Sequence, residues 1–172
     1  MMNADYSMRP LRRDDAAMLL QWRNSERVRS MMFGDHVITL KEHEAWLARA
    51  FTSHDSRHYV VEYGGRPIGC VNITAIDRNA GTCFAGYYLG DADAPQGSGT
   101  AMGRLMLNEI FGSLGLQEVF AQAFAFNVRS LKFLQRLGFS EVPHARTQRV
   151  KEGKLEDVCT MSLRRESWEA PV

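Results

Sequence analysis

The chain has 172 residues, 45% hydrophobic and 24% charged, with a formal net charge of +1. That length and composition suit one soluble domain with a real core, and the near-neutral balance excludes a general electrostatic grip on nucleic acid. No apolar run approaches a membrane span and residues 1–11 lack the apolar stretch of a signal peptide, so the expected location is cytoplasmic, with no membrane partner.

In chain order, Tyr6 to Leu11 is a short strand candidate. From Arg13 to Asn24 apolar residues recur at three and four, with Asp14 and Asp15 suited to a helix start, and a second helical piece is expected from Ser25 to Phe33 before Gly34 and Asp35 break it. Thr39 and Glu42 have capping-box spacing, opening a helix with Leu40, His43, Trp46, Leu47 and Ala50 largely on one face. His58 to Tyr63 and Pro67 to Ile76 read as strands joined through Gly64-Gly65, and Thr82 to Gly90 as a third, which makes an antiparallel meander. A helix from Ser98 to Leu114 ends at Gly115; a strand covers Glu118 to Phe126, and Asn127 caps a helix carrying Val128, Leu131, Phe133, Leu134 and Leu137 that stops at Gly138. Thr147 to Lys151 and Leu155 to Leu163 pair last, and the tail from Arg164 to Val172 is expected to be mobile. This order predicts a single mixed α/β domain over residues 1–172, its core spanning about 6–163. Cys70, Cys83 and Cys159 are odd in number and far apart, each in an apolar or strand-like run, so they read as buried free thiols and imply no metal site.

The stretch Gln96-Gly97-Ser98-Gly99-Thr100-Ala101 runs from a Pro- and Gly-rich turn straight into a helix. First-turn amides have no intrahelical partner and the helix dipole places partial positive charge there, so such a start binds anions, and bare glycines let a diphosphate approach. The stretch lacks the lysine of a Walker A loop, and its third glycine, Gly103, falls one residue late for a dinucleotide fingerprint, so an oxidoreductase reading is weak.

The spacing Gln96-x-x-Gly99-x-Ala101 instead resembles the pyrophosphate loop of the GCN5-related N-acetyltransferases, and Asn127-x-x-Ser130-x-x-Phe133-Leu134-x-x-Leu137-Gly138-Phe139 resembles a second segment of that family. The resemblance covers roughly residues 6–163. It implies a mixed, mostly antiparallel sheet of about seven strands with a V-shaped splay, acetyl-coenzyme A as acetyl donor, and no metal. On this chain it implies that pantetheine lies against Leu89, that Gln96, Gly97, Ser98, Gly99, Thr100 and Ala101 meet the pyrophosphate, and that Asn127 and Ser130 face the thioester arm. Asn127 is equally a good N-cap and Ser130 an ordinary first-turn residue.

Acetyl transfer to an amine needs an oxyanion donor, for which the Leu89 amide is the candidate, a route for the amine's proton, and a proton for the leaving thiolate. The tyrosine that the family often uses for the last task is Leu134 here, so Ser130, Tyr87 or Tyr88 substitutes or the thiolate leaves unaided. Three N-terminal segments, Trp22 to Asn24, Ile38 to Trp46 and Gly69 to Asp77, resemble UDP-4-amino-sugar N-acetyltransferases of pseudaminic acid biosynthesis. That implies Arg23 and His43 at the nucleotide diphosphate, with Asn72, Thr74, Tyr88 and Gln122 around the sugar amine. Those enzymes tend to carry glutamate where this chain has Gln122, so His43 is the reserve base. The Ser130 variant and the lost tyrosine also resemble ribosomal-protein N-terminal acetyltransferases, so a peptide acceptor is the alternative, followed by other small amines and a non-catalytic acetyl-coenzyme A-binding domain. A homodimer is left open.

Overall fold

Strand pairing organises the molecule, and the computed structural model describes residues 5–168. Eight strands, β1 (Tyr6–Pro10), β2 (Arg57–Tyr63), β3 (Arg66–Asp77), β4 (Thr82–Leu89), β5 (Glu118–Phe124), β6 (Ser140–Glu141), β7 (Thr147–Lys151) and β8 (Lys154–Arg164), form one sheet. Their order is β1-β2-β3-β4-β5-β8-β6, with β7 pairing β8 as a hairpin, and every pairing is antiparallel except β4 with β5. The expected sheet is therefore present with one more strand, because Ser140 and Glu141 pair with Ser162 and Met161 in a segment too short to show a period.

Because side chains alternate across a strand, β2 and β3 feed two cores, one on each face of the sheet. On one face Val61, Val71, Ile73, Ala85, Val119, Ala121 and Met161 pack under α4 (Ser98–Leu107) and α5 (Val128–Arg136). On the other, Val60 and Cys70 pack under Leu19 of α1 (Ala16–Asn24) and Leu47 of α3 (Leu40–Thr52), with Trp22, Trp46 and Tyr88 at the margin. The three cysteines are buried and free.

Several local expectations change. The helix expected over 25–33 shrinks to α2 (Glu26–Arg29), because the carbonyls of Arg29, Met32 and Gly34 are taken by the Lys151 ammonium. Leu40 and Val128 are 62% and 52% exposed, since each opens its helix on the side away from the sheet. The helix after α4 continues to Ser113 as a π-turn in which Leu114 N–H donates to Glu109 O. The tail is not free from Arg164: a short 3-10 turn at Arg165–Ser167 brings Trp168 against Phe111 with ring centroids 5.3 Å apart. Residues 169–172 lie outside the described residues.

Candidate active site

β4 and β5 pair only over Thr82–Phe84 and Glu118–Phe120, although β4 continues to Leu89 and β5 to Phe124. Each keeps its outer neighbour throughout, β4 through Leu89 opposite Gly69 and β5 through Phe124 opposite Val158. The strands are thus held apart from outside, and from Ala85 and Ala121 onward two main-chain edges face an open fork. An edge strand's unpaired N–H and C=O groups are a template for an extended arm that lies along it.

At the mouth of this fork α4 begins. Its N-cap, Gly97, is left-handed with φ of 91°, which a residue with a Cβ adopts only under strain. Ala101 N–H closes on Gly97 O, and Ser98 N–H and Oγ–H both donate to Pro95 O. Ser98 is 1% exposed and also meets the Tyr6 hydroxyl at 3.1 Å, so its expected role as an anion contact is corrected: it ties the turn together from inside. The Gly97, Gly99 and Thr100 amides have no backbone partner among the described residues, and they form the open end of the helix dipole.

α5 starts beside it. Asn127 Oδ1 accepts from Ser130 N–H at 3.2 Å, a true N-cap, so this oxygen is engaged locally. Ser130 Oγ lies 2.8 Å from the Tyr87 hydroxyl across the cleft from β4. Burial pushes the Tyr87 phenol up to about 12, with the Ser130 hydrogen bond opposing it. Leu134 is fully buried in the core and offers no proton. Of the three hydroxyls that could replace the missing tyrosine, the fold joins Tyr87 and Ser130 and turns Tyr88 to the opposite face, edge-on to Trp22 at 6.5 Å. Burial raises the Tyr88 phenol well above its ordinary value.

On that opposite face the register places Asn72 opposite Gly86, Cys70 opposite Tyr88 and Thr74 opposite Phe84, with Gln122 on β5 across the fork. Arg23, on α1, exerts its charge on both Cys70 and Tyr88, and its Nε is buried without a hydrogen-bond partner. Asn72 Oδ1 accepts from His58 Nδ1–H at 2.6 Å and from Cys70 Sγ–H at 3.6 Å, leaving the amide nitrogen to donate. Gln122 has the reverse polarity. Its Nε2 donates to Thr160 Oγ1 at 3.1 Å and Thr160 Oγ1 donates on to Ala145 O, leaving Gln122 Oε1 to accept.

Two residues change role. His43 is 4% exposed, its Nε2–H donates to Ala16 O at 2.7 Å, and its ring stacks on Trp46; it fastens α3 to α1 and is corrected as a phosphate contact and reserve base. His58 had no sequence assignment, yet it orients Asn72 and packs edge-on to Trp46 at 5.1 Å, and burial lowers its basicity. Its signal was hidden by a β-bulge at Val61/Glu62: the Gly64-Gly65 turn alone would set a register displaced by one residue, in which His58 and Asn72 do not meet. Among the described residues no group of three His, Cys, Asp or Glu is placed to hold a metal ion, and no helix is long and apolar enough to cross a membrane.

A family model described as Acetyltransferase (GNAT) domain matches residues 7–140, well over half of the chain. The chain belongs to the GNAT acetyltransferase family. Within it, the chain is similar to the SPbeta prophage-derived uncharacterized N-acetyltransferase YokL of Bacillus subtilis (strain 168), 27% identical over 126 residues, covering 72% of this chain and 70% of that one. Its fold matches the spermidine N-acetyltransferase of Vibrio cholerae, solved with CoA and spermine, at TM-score 0.88 and 19% identity, covering 96% of this chain and 98% of that one. It also matches the ribosomal L7/L12 alpha-N-protein acetyltransferase RimL, solved with coenzyme A, at TM-score 0.83 and 14% identity, covering 97% and 98%. The open fork, the Gly97 turn and the Asn127 cap all fall within the residues that the family model matches.

Proposed function

We propose that this acetyltransferase moves the acetyl group of acetyl-coenzyme A directly onto the primary amine of a hydroxyl- and phosphate-bearing small molecule, a UDP-linked 4-amino sugar being the reading favoured. Acetyl-coenzyme A supplies the activated thioester. The Gly97, Gly99 and Thr100 amides are suited to its pyrophosphate and the β4 edge at Leu89 to its pantetheine arm and carbonyl oxygen. Tyr87 keeps its proton throughout the neutral range and, held by Ser130, is the donor poised for the departing sulfur. Gln122 Oε1 is placed to accept an N–H of the incoming amine; it is too weakly basic to remove the proton, which therefore leaves through water.

The observation that carries the acceptor reading is Arg23: a guanidinium with a buried, unpartnered Nε beside Tyr88 and Cys70, a state shared among the described residues only by Arg29 Nε, which stands on α2. Asn72 adds a second donor on the same face. The strand positions facing this part of the cleft, Asn72, Thr74, Phe84, Gly86, Tyr88, Phe120 and Gln122, include no carboxylate, which suits an anionic or hydroxylated acceptor and disfavours a polycation such as spermine.

Thiol release from acetyl-coenzyme A is to be measured with UDP-4-amino-4,6-dideoxy sugars, an N-terminal ribosomal-protein peptide and spermidine. Turnover with a nucleotide sugar that falls mainly through a raised acceptor KM in Arg23→Met supports the reading. Turnover with the peptide or spermidine alone rejects it.

A further inference from the structure

Lys151 lies at the end of β7, far in sequence from the first helices, yet it is 6% exposed and all three ammonium protons are engaged by one distant segment. Its Nζ donates to the carbonyls of Arg29, Met32 and Gly34 at 3.1, 2.9 and 2.9 Å, and Asp35 Oδ1 lies 3.2 Å away. Asp35 Oδ2 in turn accepts from Glu152 N–H at 3.2 Å. A buried ammonium demands this degree of satisfaction, and the segment supplies it with carbonyls at and just past the end of α2, where the backbone beyond Ser30 makes the short turns Met31 N–H to Val28 O and Met32 N–H to Arg29 O.

What the ammonium holds in place is Phe33. That ring lies edge-on to Phe124 of β5 at 5.1 Å, under the Arg149 guanidinium at 4.5 Å. Phe124 alternates with Gln122 onto the same side of β5, at the open end of the fork. The segment from Arg29 to Asp35 therefore closes the β5 side of the face that the proposed acceptor enters, and it is fastened there from the β7–β8 hairpin.

We propose that Lys151 is a positioning residue that locks the segment 29–35 over β5 as the wall of the acceptor cleft, so that affinity for the acceptor, and not for acetyl-coenzyme A, depends on it. The acceptor half of this inference rests on the reading above; the locking half does not.

The two single variants and their double, read by amide exchange, acetyl-coenzyme A binding and acceptor kinetics, separate the outcomes. In Lys151→Met, amide exchange over residues 30–36 should rise about tenfold or more, while the β3 and α4 amides remain protected. Acetyl-coenzyme A should bind within about twofold of wild type, and KM for the UDP-4-amino sugar should rise about tenfold with kcat little changed. Phe33→Ala, which keeps the ammonium and its carbonyls, should reproduce the KM rise, and the double variant should exceed the larger single effect by no more than about twofold. Unchanged exchange over 30–36 in folded Lys151→Met overturns the proposal, as does an equal rise in both KM values. If no amino sugar is turned over, the acceptor reading fails while the exchange measurement still decides the lock.

Discussion

The Tyr87 hydroxyl stands 2.8 Å from Ser130 Oγ, joining β4 to the first turn of α5 across the cleft. Leu134 is buried in the core, so under the proposed mechanism the proton donor is Tyr87, on the strand side of the cleft. Tyr87→Phe removes the hydroxyl and keeps the ring packed on Phe133. It should lower kcat about a hundredfold and leave acetyl-coenzyme A binding within about twofold, as read by steady-state kinetics and calorimetry.

Gly97 is the left-handed N-cap of α4, in the turn proposed to receive the pyrophosphate. With φ at 91°, Gly97→Ala adds about 1 kcal/mol of strain unless the turn shifts, and a shifted turn misaligns the neighbouring amides. Calorimetry should show the acetyl-coenzyme A Kd rising about fivefold, with the melting temperature changed by only a few degrees.

The fork needs β3 and β4 in close register. A Cβ at Gly69 would fall 2.7 Å from the Tyr88 carbonyl oxygen, a main-chain atom that cannot turn aside. Gly69→Ala should therefore cost about 2 kcal/mol in chemical unfolding, and the displaced β4 should also weaken acetyl-coenzyme A binding.

Arg9 ties β1 to β2 and to the turn before α1: Nη1 and Nη2 both meet the Asp15 carboxylate at 2.8 Å, and Nε meets Glu62 at 2.7 Å. Arg9 chiefly, with the Arg12 backbone N–H also contributing, holds the Asp15 carboxyl below its ordinary value. A depressed carboxyl stabilises the fold above its unfolded value, and that contribution fades as pH falls below about 4. Arg9→Met should cost about 3 kcal/mol at neutral pH, and the double change with Asp15→Leu should recover part of it, as measured by urea unfolding.

His58 gives the opposite kind of acid sensitivity. Burial lowers its native basicity, so below about pH 6.5 the unfolded chain binds a proton that the native chain refuses. Stability should decline as pH falls from that point and level off once the native ring titrates. In His58→Gln this part of the pH–stability curve should be flat.

Local chemistry was legible in the chain itself. Thr39 and Glu42 form the capping box their spacing announces, Thr39 Oγ1 accepting from Glu42 N–H while Glu42 accepts from Thr39 N–H, and this holds the Glu42 carboxyl down at about 2. Asn127 caps α5, Gly97 opens α4, and the strand pattern and loop spacing carry the family. Such features depend on residues within one turn or one hairpin, and their geometry is set by covalent connection. What the tertiary structure alone decided are meetings between distant residues: Tyr87 with Ser130, His58 with Asn72 after the one-residue bulge, His43 with Ala16, and Lys151 with the segment from Arg29 to Gly34. Pattern reports which face of an element is buried; it does not report what lies opposite. A strand register displaced by one residue reverses every face, and no local propensity fixes it.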